Sequence, residues 1–227
     1  MRKSFFGISF FTALFCFMGL QIHAQFNIKV GYNLGFAVDD KIGDIVDRFN
    51  KENDFFNQPL GDIEGMGGIE LGLRYRFKSS AIELSWINNS ARARGFGNDG
   101  STPVEADIDA SMRTFSLGLE TMYGPIGIGS SIDRRRLKLK QDIPNFDATE
   151  TVSQSSGWAA KLHLTLEARS SSMSLTFKPY IQFPLSNLNV YGLEKSFFPD
   201  SEAVENDFDT DFLVYGISIV IYNGPQR

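Results

Sequence analysis

Along residues 26–38 every even position is large and apolar (Phe26, Ile28, Val30, Tyr32, Leu34, Phe36, Val38), and every odd position is small or polar. A strand sends successive side chains to opposite faces, so this segment has one greasy face and one polar face. In a chain that is 42% hydrophobic, seven apolar hits in seven alternate positions arise by chance in roughly 0.2% of placements, so the period is signal.

The same alternation returns seven times. Residues 68–77 set Ile69, Leu71, Leu73, Tyr75 and Phe77 against Glu70, Gly72, Arg74 and Arg76. Residues 81–94 begin with Ile82, Leu84 and Trp86 on the apolar face and turn polar at Asn88, Ser90, Arg92 and Arg94. A fourth strand is expected over 109–123 and a fifth over 126–140. The sixth carries Trp158, Leu162, Leu164 and Leu166 opposite Lys161, His163, Thr165 and Glu167. The seventh, 173–185, contains Pro179, which lacks an N–H and predicts a bulge or a gap in the ladder. The last, 212–222, is apolar on both faces, so the pattern leaves its orientation open.

The connections alternate. Residues 39–65, 95–107, 141–155 and 186–210 are long and polar, whereas 78–80, 124–125 and 170–172 are tight. In the first long connection Ile42, Ile45, Val46 and Phe49 fall at helical spacing behind Asp39 and Asp40 as candidate caps. Eight strands joined long, short, long, short predict an all-β fold: an eight-stranded antiparallel up-and-down transmembrane β-barrel with long extracellular loops and short periplasmic turns.

Periodicity does not say which face meets lipid, and a soluble lipocalin-like carrier shows the same alternation turned inside out. Two features favour an apolar exterior. The polar face is rich in glycine (Gly31, Gly35, Gly72, Gly118, Gly127, Gly129), as a narrow interior requires, and it carries both signs of charge, from Glu70, Arg74 and Glu83 to Lys161, Glu167 and Lys178. Tyr32, Tyr75, Phe77, Tyr123 and Trp158 lie towards strand ends, where aromatic girdles meet headgroups.

The first residues place the chain. Arg2 and Lys3 precede an apolar run over 5–20, and Ile22-His23-Ala24 supplies a small residue before Gln25, the form of a cleaved secretory signal peptide. The domains expected are therefore a signal peptide, 1–24, and an outer-membrane barrel domain, 25–227. Cleavage removes Cys16, the sole cysteine, so no disulfide staples the mature chain. Without Arg2 and Lys3, 20 basic residues face 27 acidic ones, a net charge of −7 that argues against a nucleic-acid partner. The location expected is the outer membrane of a Gram-negative bacterium.

Together with the signal-peptide end at Ala24-Gln25 and the first strand, the run Lys178-Pro179-Tyr180-Ile181-Gln182-Phe183-Pro184-Leu185 resembles the small PorT-like outer-membrane barrels of Bacteroidetes-type bacteria. The resemblance implies fold and location over 25–227. Some relatives assist protein secretion, but no residue here carries that role over.

Candidate chemistry is sparse. His163 is the one histidine of the mature chain and would be the base of an outer-leaflet lipid hydrolase, yet no serine stands out as its partner and its parity points it into the lumen. Asp207-Phe208-Asp209-Thr210-Asp211 begins like a calcium loop but lacks the glycine and the distal glutamate, so it reads as a solvated acidic loop. No metal or cofactor is called for.

The basic residues are more informative. Keeping Ile126, Ile128 and Ile132 outward puts Arg134, Arg136, Lys138 and Lys140 outward too; by the same parity Arg113 lies above Phe115, and Arg92 and Arg94 above Trp86. A spanning strand needs about 9–11 residues, so these side chains emerge beyond the bilayer edge. Arg92, Arg94, Arg113, Arg134, Arg136 and Lys138 are thus the candidate site for lipopolysaccharide phosphates, since guanidinium groups bind phosphate through paired donors. The reading is a non-enzymatic, monomeric barrel that contacts lipid and lipopolysaccharide and offers its extracellular loops to a protein partner. A lipid hydrolase and a soluble carrier of an apolar ligand are the alternatives.

Overall fold

The computed structural model describes residues 24–38, 40–99, 102–142 and 150–223. The signal peptide therefore lies outside the described residues except for Ala24, where the first strand begins. In chain order the elements are β1 (Ala24–Val38), α1 (Asp40–Glu52), β2 (Gly65–Phe77), β3 (Ser80–Asp99), β4 (Thr102–Tyr123), β5 (Ile126–Asp142) and β6 (Glu150–Arg169). They continue with β7 (Met173–Pro184), β8 (Leu188–Asn189), α2 (Tyr191–Phe197), β9 (Asp209–Thr210) and β10 (Leu213–Asn223).

Eight antiparallel strands close in the order β1-β10-β7-β6-β5-β4-β3-β2, and β8 pairs with β9 in the last long connection. From Tyr32 the ladder leads one way through Ile219, Phe177 and Leu166 to Ile126. The other way it leads through Ile69, Asn88 and Arg113 to Arg136. The two paths meet on β5 ten residues apart, and that stagger tilts the strands by about 35–45° to the barrel axis.

The alternation decides the two faces. Phe26, Ile28, Val30 and Tyr32 are exposed on β1, and Leu117, Leu119, Ile128, Leu164 and Leu175 are among their counterparts on other strands. Asn27, Lys29 and Asn33 are buried. β10 follows the same rule: Tyr215, Ile219 and Ile221 face out, while Val214, Val220 and Tyr222 face in. At Pro179 the ladder to β6 lapses between His163↔Tyr180 and Leu166↔Phe177 without a change of register, so the missing N–H makes a gap and not a bulge. The β10 side keeps its Ile217↔Pro179 pairing.

Two expectations are corrected. Residues 95–107 are not a loop: β3 and β4 run on as a paired hairpin to Asp99↔Thr102. The turn-like composition misleads because Gly97 serves close approach. A Cβ there would lie 2.5 Å from the backbone O of Phe55, where the first long connection crosses β3. Likewise 141–155 is not wholly loop, since β6 begins at Glu150. The expected helix forms as α1 with Ile42, Ile45, Val46 and Phe49 buried; Asp39 and the Asp40 side chain lie outside the described residues. No helix among the described residues is long and apolar enough to cross a membrane, which says nothing about the strands.

Candidate functional site

The lumen has two zones. Its tight-turn half is a lattice of buried ion pairs centred on Glu83. That carboxylate meets Lys29 at 3.0 Å, Lys178 at 2.8 Å and Arg74 at 3.5 Å, and accepts from the Tyr222 hydroxyl at 2.5 Å. Arg74 also bridges Glu120 at 2.7 Å and Glu167 at 3.0 Å. Arg76 and Arg169, next to the tight turns, also pair with Glu167. Opposite charges facing one another here satisfy groups that would be costly to bury singly.

Above Arg135 the interior turns apolar. Met66, Ile108, Met112, Leu137, Leu139 and Val214 form one core with Ile45, Val46 and Phe49 of α1 and with Leu188, Val190 and Leu193 of the last connection. Phe49 stacks on Phe197 with ring centres 4.3 Å apart, and Arg48 pairs with the buried Glu194 while lying 3.5 Å over the Phe198 ring. The two long connections therefore plug the barrel, with Phe49 and Phe56 of the first one buried in the plug. Asp209 is likewise used structurally, accepting from Asn189 at 2.9 Å.

Two features of the interior bear on the hydrolase and carrier alternatives. His163 lies 3.7 Å from Glu120, and neither of its ring nitrogens has a hydrogen-bond partner, so it has no serine to activate. The cavity beside it measures about 20 Å³, room for a single water. A carrier of apolar ligands needs hundreds of Å³ lined by apolar side chains. Among the described residues no group of His, Cys, Asp and Glu could hold a metal.

The outer flank formed by β3, β4, β5 and β6 is different. Going up β4, Tyr123, Leu119, Leu117 and Phe115 are exposed and apolar, and Arg113 follows. On β5, Ile126, Ile128 and Ile132 are followed by exposed Arg134 and Arg136, then half-buried Lys138 and Lys140. Register puts Arg134 between Phe115 and Trp158, with its guanidinium 5.9 Å from the Trp158 ring. It puts Arg113 directly opposite Arg136. Like charges in that arrangement repel. Among the described residues neither has a carboxylate within 4.0 Å.

The six predicted residues divide here. Arg92 and Arg94 share Asp107, and Arg92 also meets Asp109 at 3.4 Å. The hydrogen bond to Asp107 raises the pKa of Arg92, as expected of a cation already committed to an anion. Arg113, Arg134, Arg136 and Lys138 stay together without such partners among the described residues. They border two depressions that share Arg113. The lower, about 450 Å³, adds Trp86, Phe115, Gln154, Ser155 and Ser156; the upper, about 580 Å³, is lined by Lys138 with Lys140, Ser90, Ser111 and the paired Arg92 and Asp109. Gln154, Ser155 and Ser156 escape a sequence reading because they stand in a stretch that looks like loop; only their pairing with β5 brings them to the flank.

No protein-family model matches the chain, and no curated protein matches it in sequence. Solved structures resemble it in outline. Ail, the attachment invasion locus protein of Yersinia pestis, crystallised with the heparin analogue sucrose octasulfate, is 11% identical over 88% of this chain and 97% of its own, with a TM-score of 0.46. Neisserial surface protein A is 8% identical over 88% of this chain and 97% of its own, with a TM-score of 0.45. The translocator domain of the autotransporter NalP from Neisseria meningitidis is 8% identical over 96% and 94%, with a TM-score of 0.35. The barrel assignment rests on this chain's own strand pairing.

Proposed function

We propose that this protein is a non-enzymatic outer-membrane barrel, of the PorT-like kind that Lys178–Leu185 suggests, exported by the signal peptide 1–24, and that its basic flank binds lipopolysaccharide phosphate. A belt of exposed Phe, Ile, Leu, Val and Tyr side chains on the barrel strands supports insertion in lipid. The belt occurs on β1, β2, β4, β5, β6, β7 and β10 alike, which supports a monomer surrounded by lipid. A closed barrel leaves no open sheet edge to lipid, and the gap at Pro179 interrupts only the β6–β7 ladder.

The observation that carries the binding role is Arg113 opposite Arg136 at the upper edge of that belt. Two guanidiniums held face to face are stabilised by an anion between them, and a phosphate takes paired N–H donors from each. Arg134, against Phe115 and Trp158, stands where the apolar belt meets headgroups. Arg92 and Arg94 fall out of the proposed site because Asp107 and Asp109 hold them.

Membrane fractionation with electrophoresis of boiled and unboiled samples tests the location: the protein is expected in the outer membrane with a mobility that shifts on boiling. A soluble band without a shift overturns the membrane reading. For binding, changing Arg113, Arg134 and Arg136 together to glutamine is expected to reduce co-purifying lipopolysaccharide by at least about tenfold, since each charge-assisted contact contributes about 1.5–3 kcal/mol. Unchanged retention sinks the binding role and leaves the barrel standing.

A further inference from the structure

The basic flank is not one patch. The lower depression is built from guanidinium groups (Arg113, Arg134, Arg136) beside exposed apolar rings. The upper is built from Lys138 and Lys140 together with the hydroxyls of Ser90 and Ser111 and the Arg92–Asp109 ion pair. Arg113 borders both. The chemistry differs accordingly: planar forks without a carboxylate partner for a phosphate at the lipid boundary below, and ammonium groups beside hydroxyls and an ion pair above. Ammonium groups attract a second phosphate, while hydroxyl and carboxylate groups hydrogen-bond to sugar hydroxyls.

Four residues separate the centre of the Arg134/Arg136 pair from that of the Lys138/Lys140 pair, about 13 Å along a strand. A glycerophospholipid has its phosphate at one point and nothing sugar-like to extend into the upper depression. A disaccharide with a phosphate at each end spans that order of length.

Resting on the lipopolysaccharide reading, we propose that the flank recognises a lipid whose saccharide headgroup carries two phosphates, one in each depression, with Arg113 reaching both. Binding then depends on phosphate number, and removing or capping one phosphate on the lipid weakens its retention. Selectivity between the two lipid forms turns on Lys138 and Lys140, and Arg113 contributes to both affinity and selectivity.

The test uses the full barrel purified in detergent, with lipid retention measured by native mass spectrometry. The probes are a bisphosphorylated disaccharide lipid, its monophosphorylated form and phosphatidylglycerol. Wild type is expected to retain the bisphosphorylated lipid at least about tenfold better than either of the others, the worth of one charge-assisted contact. Lys138→Gln with Lys140→Gln is expected to remove the preference while retaining the monophosphorylated form. Arg134→Gln with Arg136→Gln is expected to weaken all retention, and Arg113→Gln to weaken retention and narrow the preference together. Equal retention of both disaccharide lipids by wild type overturns the two-phosphate proposal and leaves the binding role intact. Retention of every lipid at one level by wild type and all variants overturns the binding role itself. Because these side chains are outward on paired strands, an unchanged heat-shifted band for each variant confirms that the barrel being compared is folded.

Discussion

Changing Arg74 to methionine is expected to destabilise the barrel by about 3–5 kcal/mol, the cost of leaving buried partner charges uncompensated. Arg74 is fully buried and is the cation that joins Glu120 and Glu167, with Glu83 close by. Methionine keeps much of the volume but removes the donors, so two carboxylates lose charge-assisted hydrogen bonds while remaining in the lumen. The effect is read as a lower denaturant concentration for loss of the unboiled, fast-migrating band. A second variant separates charge from packing: Arg74→Met with Glu120→Gln neutralises one of the carboxylates that lost the guanidinium and leaves Glu167 to Arg76 and Arg169. It is expected to recover part of the lost stability. If the single variant unfolds with wild type, or the double variant is no better than the single, the lattice is not what holds this half of the barrel.

Changing Gly68 to alanine is expected to cost about 3 kcal/mol, the upper part of the range for forcing extra volume into a packed interior. A Cβ at Gly68 would come within 1.9 Å of the Asn88 backbone O and 2.7 Å of the Asn89 Cα. Those atoms belong to β3, whose Asn89 is the ladder partner of Gly68, so relief requires the two strands to separate. A flexible side chain would give way cheaply; paired backbone does not. Gly43 supplies the control. It lies in α1, and a Cβ added there would meet nothing within 4 Å, so Gly43→Ala is expected to stabilise by about 0.5–1 kcal/mol through helix propensity alone. Equal behaviour of the two alanine variants in the denaturant series would show that strand approach at Gly68 is not limiting.

The plug was only half legible. Ile42, Ile45, Val46 and Phe49 announce an amphipathic helix, but a greasy helix face does not say what covers it. Its cover comes from Leu188, Val190, Leu193 and Phe197, more than 130 residues away in sequence, in a connection whose acidic residues hide a short apolar spacing. The lumen shows the same division. Both signs of charge sit on one parity of the strands, which is visible in the chain. That Glu83 gathers Lys29, Arg74 and Lys178 requires β1, β2 and β7 to surround β3's inner face, which only closure achieves.

The candidate site divides along the same line. That Arg113, Arg134, Arg136 and Lys138 share the parity of the apolar face was determined by the sequence alone, because the two-residue side-chain period is a local property of extended backbone. Which of the basic residues stay available was decided by register. Residues 95–107 look like loop, so nothing local reveals that Asp109 stands opposite Arg92 and Asp107 opposite Arg94, or that Arg113 stands opposite Arg136. Parity belongs to each strand by itself, whereas register and closure belong to pairs of strands and to the ring they form. The sequence by itself therefore determined the barrel, its greasy exterior and its charged lumen, and the tertiary structure decided which cations are neutralised, which face one another, and that the mouth is plugged.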